Sequence, residues 1–339
     1  MGTYLHIKGS RLWKICAIVI LGIVLACCCT QITSVDQPAS ATAGTTVPIT
    51  LNINISCNSS GTANFIMGFL APNGWAPDKN TTVTYHSSKG SGNMVLVPAG
   101  TAVPNGHGLT WPQLLKQQFG NAGNLIDDVS WIVYQTDVPI TFNNGDLITG
   151  TIDIKTKVAT DNNNYSVKLA YVVANSSNGI TSDGFQTCGP TAEYYNEFIP
   201  PSCFEVTGAT GDLIDFCNPQ LTSVNPPKSL DNDFVTLTFN SNVVTTALAG
   251  APAVYLCATA YTSDGKTITI CSPTGKSMML PTTTTSGLYQ LTFWPRSYFG
   301  LTSSQTITRM TYFITDQTGA VQVGYGNTSS PFTYTFKCS

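Results

Sequence analysis

The chain has 339 residues with 15 Lys and Arg against 18 Asp and Glu, a formal net charge of -3, and only 10% charged residues, where about 25% is usual. No basic cluster lies beyond the first 14 residues, which argues against nucleic acid as a partner. The length suffices for two ordinary domains, and the Thr/Ser/Asn-rich, charge-poor composition points outside the cytoplasm.

Lys8, Arg11 and Lys14 precede an uncharged apolar run from Ile15 to about Ala26. This is the charged start and apolar core of an export signal, too short for a spanning helix of roughly 20 apolar residues. Val24-Leu25-Ala26-Cys27 resembles the bacterial lipobox, whose Cys becomes the lipidated first residue of the mature chain. Cys27 is the favoured lipid anchor; the register Leu25-Ala26-Cys27-Cys28 leaves Cys28 open, and an ordinary cleaved signal is the other alternative. Residues 1–26 are thus expected as signal and 27–34 as tether. Several acyl chains on one Cys would hold the mature protein to a membrane without spanning it. Eleven cysteines in an exported chain point to disulfides. With no CxxC pair or Cys/His cluster, no metal or cofactor is expected.

Residues 35–218 read as an N-terminal β-sandwich. In "TVPITLNINIS", Val47, Ile49, Leu51, Ile53 and Ile55 alternate with small polar residues, a half-buried strand, and Pro48 places its start at a sheet edge. "ANFIMGFLA", "NMVLVPA", "SWIVYQT", "LITGTIDIKTKV" and "YSVKLAYVVAN" follow at sandwich-like spacing. A helical insertion, "GLTWPQLLKQQFG", has Thr110 as N-cap, Pro112 in the first turn, Gln113 completing a capping box and Gly120 as stop. "DNNNY" from Asp161 reads as a hairpin turn, because the bidentate acid of a calcium loop is missing.

Residues 219–230, with Pro219, Pro226 and Pro227 and no strand period, read as a linker, and residues 231–339 as a C-terminal β-sandwich. The predicted fold class is all-β: two tandem immunoglobulin-like sandwiches, the first with a short helical insertion. In "YLCATAYTSDGKTITIC", a three-residue loop Ser263-Asp264-Gly265 with Gly265 left-handed puts Cys257 opposite Cys271, Ala258 opposite Ile270 and Ala260 opposite Ile268. Cys257–Cys338 is the rival pairing. Cys203 and Cys217 bracket a segment that they could close as a loop, while Cys57, Cys188 and Cys338 have no assigned partner.

The runs "SCFEVTGATGDLIDFCNPQ", "GLTWPQLLKQQFG", "DDVSWIVYQTD", "NSSNGITSDGF", "VYLCATA" and "VGYGNTSSPFTYTFKC", with Met67 to Trp75, cover most of the chain. Together they resemble the Bacteroidetes lipoproteins grouped as domain of unknown function 4961. That family has no established catalytic residues, and its members are often encoded beside SusC/SusD-type glycan importers. The resemblance implies an outer-membrane, cell-surface accessory lipoprotein of polysaccharide uptake.

Catalysis finds little support in the residues. His86 and His107 sit in Ser/Gly-rich loops with no adjacent acid or nucleophile motif. A glycoside hydrolase needs two facing carboxylates, and Asp127-Asp128 and Asp212/Asp215 read as turn and backbone-bracing residues. Aromatic residues on loops are the better signal, since sugar rings stack on them by their C–H faces. Trp75 between Pro-containing turns, Trp294 at a strand end before Pro295, and nearby Tyr298 are glycan-binding candidates, as is Trp111, each with core packing as the alternative; Trp131 reads as core. The expected function is a non-catalytic glycan-binding or importer-associated lipoprotein. The alternative is a structural or adhesive surface protein of fimbrial type, with a hydrolase behind both.

Overall fold

The computed structural model describes residues 28–180, 193–283 and 285–337. The chain divides into two compact units, residues 1–217 and 218–339, and its fold is all-β with short helices.

In the first unit the strands are, in chain order, β1 (Cys28–Asp36), β2 (Ser40–Thr42), β3 (Thr46–Cys57), β4 (Gly61–Ala63), β5 (Phe65–Pro72), β6 (Thr81–Ser87), β7 (Gly90–Leu96) and β8 (Val129–Thr136). They continue with β9 (Ile140–Phe142), β10 (Leu147–Lys157), β11 (Asn164–Val167), β12 (Ala170–Asn175), β13 (Asn196–Phe198), β14 (Phe204–Thr207) and β15 (Leu213–Asp215). One sheet has the order β1-β3-β10-β6-β7-β8-β5-β12-β13; a second runs β15-β11-β14-β2, and β4 pairs with β9. Val47, Ile49, Leu51, Ile53, Ile55 and Cys57 of β3 all point inward, the two-residue period expected of a half-buried strand. Pro48 lies in an interior strand, but β1 ends opposite Thr50, so Pro48 is paired only with β10 and is an edge residue locally.

β5 is buried at every position, because the helix Trp111–Phe119 covers the face of its sheet that would otherwise meet water. The close approach needs Gly68, where an added Cβ would come within 2.7 Å of Leu115 Cδ1. The Gln113 side chain accepts from the Thr110 backbone N–H at 3.0 Å, and Gly120 closes the helix with positive φ and an N–H donated to the Lys116 carbonyl. These caps satisfy backbone groups that the helix itself leaves unpaired.

Residues 28–34, expected within a tether, are instead part of β1, in antiparallel register with β3 from Cys28↔Cys57. Cys28, Cys29, Thr30 and Ile32 are buried. Cys28 is disulfide-bonded to Cys57, and Cys29 is disulfide-bonded as well. Covalent links and main-chain pairing hold a segment whose side chains are too polar to announce a strand. Cys27, Cys188 and Cys338 lie outside the described residues. Cys203 is bonded to Cys217.

The second unit contains β16 (Thr222–Asn225), β17 (Val235–Asn240), β18 (Val254–Thr262), β19 (Thr267–Ile270), β20 (Met278–Pro281), β21 (Leu288–Phe293), β22 (Ile307–Thr315), β23 (Gln322–Val323) and β24 (Phe332–Thr335). Their order is β16-β17-β21-β20-β18-β22-β23, with β19 on β18 and β24 on β22. β17 and β18 alternate strictly between buried and half-buried residues, so one face of each meets a shared core around Leu237, Phe239, Leu256 and Ile314. Each such side chain contributes about 1.5–3 kcal/mol when fully buried. The β18–β19 register is Ala258↔Ile270 and Ala260↔Ile268, with Gly265 at φ 80° in the loop, and Cys257 is bonded to Cys271.

The expected linker 219–230 is not free chain. Thr222–Asn225 forms the edge strand on β17, Leu221 is fully buried, and Ser229 shares a 2.8 Å hydrogen bond with Tyr334. The prolines bound a strand too short to show a period.

Candidate functional site

The aromatic candidates separate sharply by exposure. Trp75 is 0% exposed, Trp111 2% and Tyr298 3%, whereas Trp294 is 40% exposed. The first three are therefore corrected to core residues. Trp75 ends a one-turn 3-10 helix, Asn73–Trp75, that folds the ring inward, edge-on against Tyr165 at 5.7 Å and Phe204 at 6.1 Å. Trp111 occupies the first helical position and packs under the insertion. Tyr298 lies 4.7 Å from the Phe293 ring, and its burial pushes the hydroxyl up to about 12. Trp131 is core, its indole N–H donating to the Gly120 carbonyl at 3.1 Å.

Trp294 faces outward because of its register. β17 and β21 pair as Val235↔Phe293, Thr236↔Thr292 and Thr238↔Gln290. One step beyond Val235↔Phe293, Phe234 and Trp294 stand opposite each other on the outer face, their ring centroids 6.5 Å apart at 37°. Phe234 is 68% exposed, the most exposed large apolar side chain among the described residues. After Trp294, Pro295 begins the short helix Pro295–Phe299, which carries Pro295, Tyr298 and Phe299 into the core. Arg296 pins that turn by donating to Asp231 at 3.0 Å and to the Gln305 and Thr302 carbonyls at 2.7 Å each.

Successive outward rungs lie roughly 7 Å apart along the strands. Beyond the aromatic pair come Thr236 and Thr292, sharing a hydrogen bond of 2.8 Å, then Thr238 and Gln290, 3.1 Å apart. On β16, Ser223 and Asn225 pair with Thr238 and Thr236 and so share this face. None of these side chains is charged. A shallow hollow beside the aromatic pair is lined by Lys276, Thr292 and Ser297. The face thus offers two apolar rings at one end and a flat array of hydroxyls and amides beyond, a chemistry suited to polyhydroxylated ligands. Phe234 was missing from the sequence candidates. Its signal was there: in "FVTLTF" it is out of phase with inward Val235, Leu237 and Phe239.

The acidic residues are occupied otherwise. Lys116 pairs with Asp127, and that contact with the Asn121 hydrogen bond holds the Asp127 carboxyl below its usual range. Asp128 accepts from Asn73 at 2.8 Å, Asp215 from the Cys217 N–H at 2.8 Å, and Glu205 from Ser166 at 2.7 Å. Asp161 accepts from Tyr165 at 2.6 Å and from Asn163 at 2.8 Å, bracing the turn read from "DNNNY". His86 is exposed on β6, and His107 is an exposed turn residue with φ 51°. Among the described residues, no three His, Cys, Asp or Glu side chains group to hold a metal ion.

A family model described as domain of unknown function (DUF4961) matches residues 30–220, and one described as domain of unknown function (DUF8578) matches residues 222–323. No curated protein matches the chain. Among solved structures, AvmM, which catalyzes macrocyclization in alchivemycin A biosynthesis, is 8% identical, covering 55% of this chain and 91% of its own at a TM-score of 0.25. BcpA, the major pilin subunit of Bacillus cereus, is 7% identical over 91% of this chain and 67% of its own, TM-score 0.23. The adhesin domain of Epf from Streptococcus pyogenes is 11% identical over 86% of this chain and 76% of its own, TM-score 0.18. Overlaps this small carry no argument about activity or assembly.

Proposed function

The chain belongs to the DUF4961 family, and from that premise we propose that it is a non-catalytic, envelope-anchored surface protein of adhesive type, holding polysaccharide on its second unit. The observation that carries this reading is the outward Phe234–Trp294 pair at the head of an uncharged hydroxyl and amide face. The rings would stack on the C–H faces of sugars, and Thr236, Thr292, Thr238 and Gln290 would exchange hydrogen bonds with ring hydroxyls. Anchoring is through acyl chains on Cys27, placing the protein at the outer membrane; among the described residues no helix is long and apolar enough to cross a membrane. Disulfides at Cys28–Cys57, Cys203–Cys217 and Cys257–Cys271 support an oxidising, extracytoplasmic location.

The same face favours a second reading, in which polysaccharide is retained for a SusC/SusD-type importer. Both readings require direct glycan binding. The test is a glycan array probed with the wild-type protein and with a Phe234→Ala/Trp294→Ala double variant whose fold is confirmed by circular dichroism. Binding lost in the double variant supports the proposal. A wild type that binds no glycan refutes it and leaves a protein partner as the better ligand for this face.

A further inference from the structure

Three consecutive cysteines divide their chemistry. Cys28 and Cys29 are both disulfide-bonded, which supports the Cys27 lipidation register over the Cys28 one. On the lipid-anchor reading Cys27, outside the described residues, is the acyl carrier. In the lipid-transfer step its thiol loses a proton and the sulfur is alkylated, displacing the phosphate ester at the glyceryl carbon of a phospholipid donor. A C–S bond forms, the C–O bond breaks, and the phosphate headgroup leaves with the electron pair and the proton.

We infer that the first unit stands directly on the bilayer, with the loop cluster at residues 56–60 and 143–147 in the headgroup zone; this rests on the lipid-anchor reading above. Cys28 follows the proposed acyl carrier directly in the sequence. Cys28 is a buried strand residue bonded to Cys57, so the residue after the acyl carrier is already fixed in the fold. The loops around that point are tied to it. The Cys57 N–H donates to the Asp146 carbonyl at 2.9 Å, the Gly145 N–H to the Cys57 carbonyl at 2.8 Å, and the Asn144 N–H to Ser60 Oγ at 3.0 Å. Asn58 reaches the Cys29 sulfur at 3.5 Å.

The chemistry of this end fits a lipid surface. Ser56, Asn58, Ser60, Asn143 and Asn144 are exposed and uncharged, able to hydrogen-bond phosphate and glycerol oxygens. Asp146, the one acid, is neutralised by Lys89, so an anionic bilayer is not repelled. Leu147, 63% exposed at the start of β10, offers an apolar side chain to the boundary.

The test compares two acylated proteins in vesicles of phosphatidylethanolamine and phosphatidylglycerol: the wild type, and a variant with a flexible Gly/Ser spacer of about six residues between Cys27 and Cys28. Hydrogen–deuterium exchange is read by mass spectrometry. Exchange at residues 58–60 and 143–147 is expected to be several-fold slower in the wild type than in the spacer variant, with the second unit's strands unchanged. Equal exchange with an acylated Cys27 would overturn the membrane contact and leave the anchor standing. An unmodified Cys27 in the N-terminal peptide would overturn both.

Discussion

Replacing Trp75 by Ala is the sharpest test of how the first unit is built. The ring is 0% exposed, so the variant loses the whole transfer contribution and leaves a cavity between Tyr165 and Phe204. Such truncations cost about 3–5 kcal/mol. At a urea slope of about 3 kcal/mol/M, the midpoint should fall by roughly 1–1.7 M. Trp75→Phe should behave differently. It keeps the edge-on contacts and removes an indole N–H that has no hydrogen-bond partner, a group whose burial unpaired costs about 1–3 kcal/mol. That relief offsets most of the lost volume, and the Phe variant should stay within about 1.5 kcal/mol of wild type. Hydrogen exchange in a urea series reads peptides of the first unit directly, with those of the second as internal reference. A Trp75→Ala midpoint shift of about 0.3 M or less would refute the burial argument. So would a Phe variant as unstable as the Ala variant.

Trp294→Ala should weaken polysaccharide binding. A Trp buries about 150–250 Å² when covered, and 40% exposure leaves about 60–100 Å² for a ligand, or about 1.5–2.5 kcal/mol. Calorimetry should therefore show a loss of about 12- to 70-fold. Gly68→Ala should destabilise the first unit by about 1–3 kcal/mol, since the new methyl meets Leu115 at 2.7 Å; an unchanged urea midpoint would contradict the helix packing. The Asp264 carboxyl should titrate at about 2, held down chiefly by the Thr262 hydroxyl, as followed by NMR. Because the folded value lies below the ordinary one, its contribution to the hairpin is complete above the unfolded value and disappears as pH falls toward 2. A midpoint at the usual carboxylate value would show the contact does not form in solution.

What could be read from the sequence followed local rules. The Thr110–Gln113 box and Gly120 stop state the helix from cap to stop, and the 257–271 register needs only strand alternation and a Gly loop. Trp75 was misread because a turn rich in Gly and Pro was equated with exposure. What buries it is Tyr165 and Phe204, about 90 and 130 residues away, brought there by the second sheet. β1 was misread because "CCTQITSVD" has few apolar side chains; its stability comes from disulfides and from a partner strand that composition does not reveal. Phe234 was overlooked although the alternation of β17 excludes it from the core.

The link between Cys28 and Cys57 also has a mechanical meaning. A pull on the chain N-terminal to Cys28 would enter the first unit at that residue. β1 is an edge strand, and tension at its tip would unzip it one rung at a time. The disulfide diverts that tension into the end of β3, which pairs with β10 along eleven residues from Thr46↔Lys157 to Ser56↔Leu147. β1 therefore cannot peel from its Cys28 end without carrying the end of β3 with it.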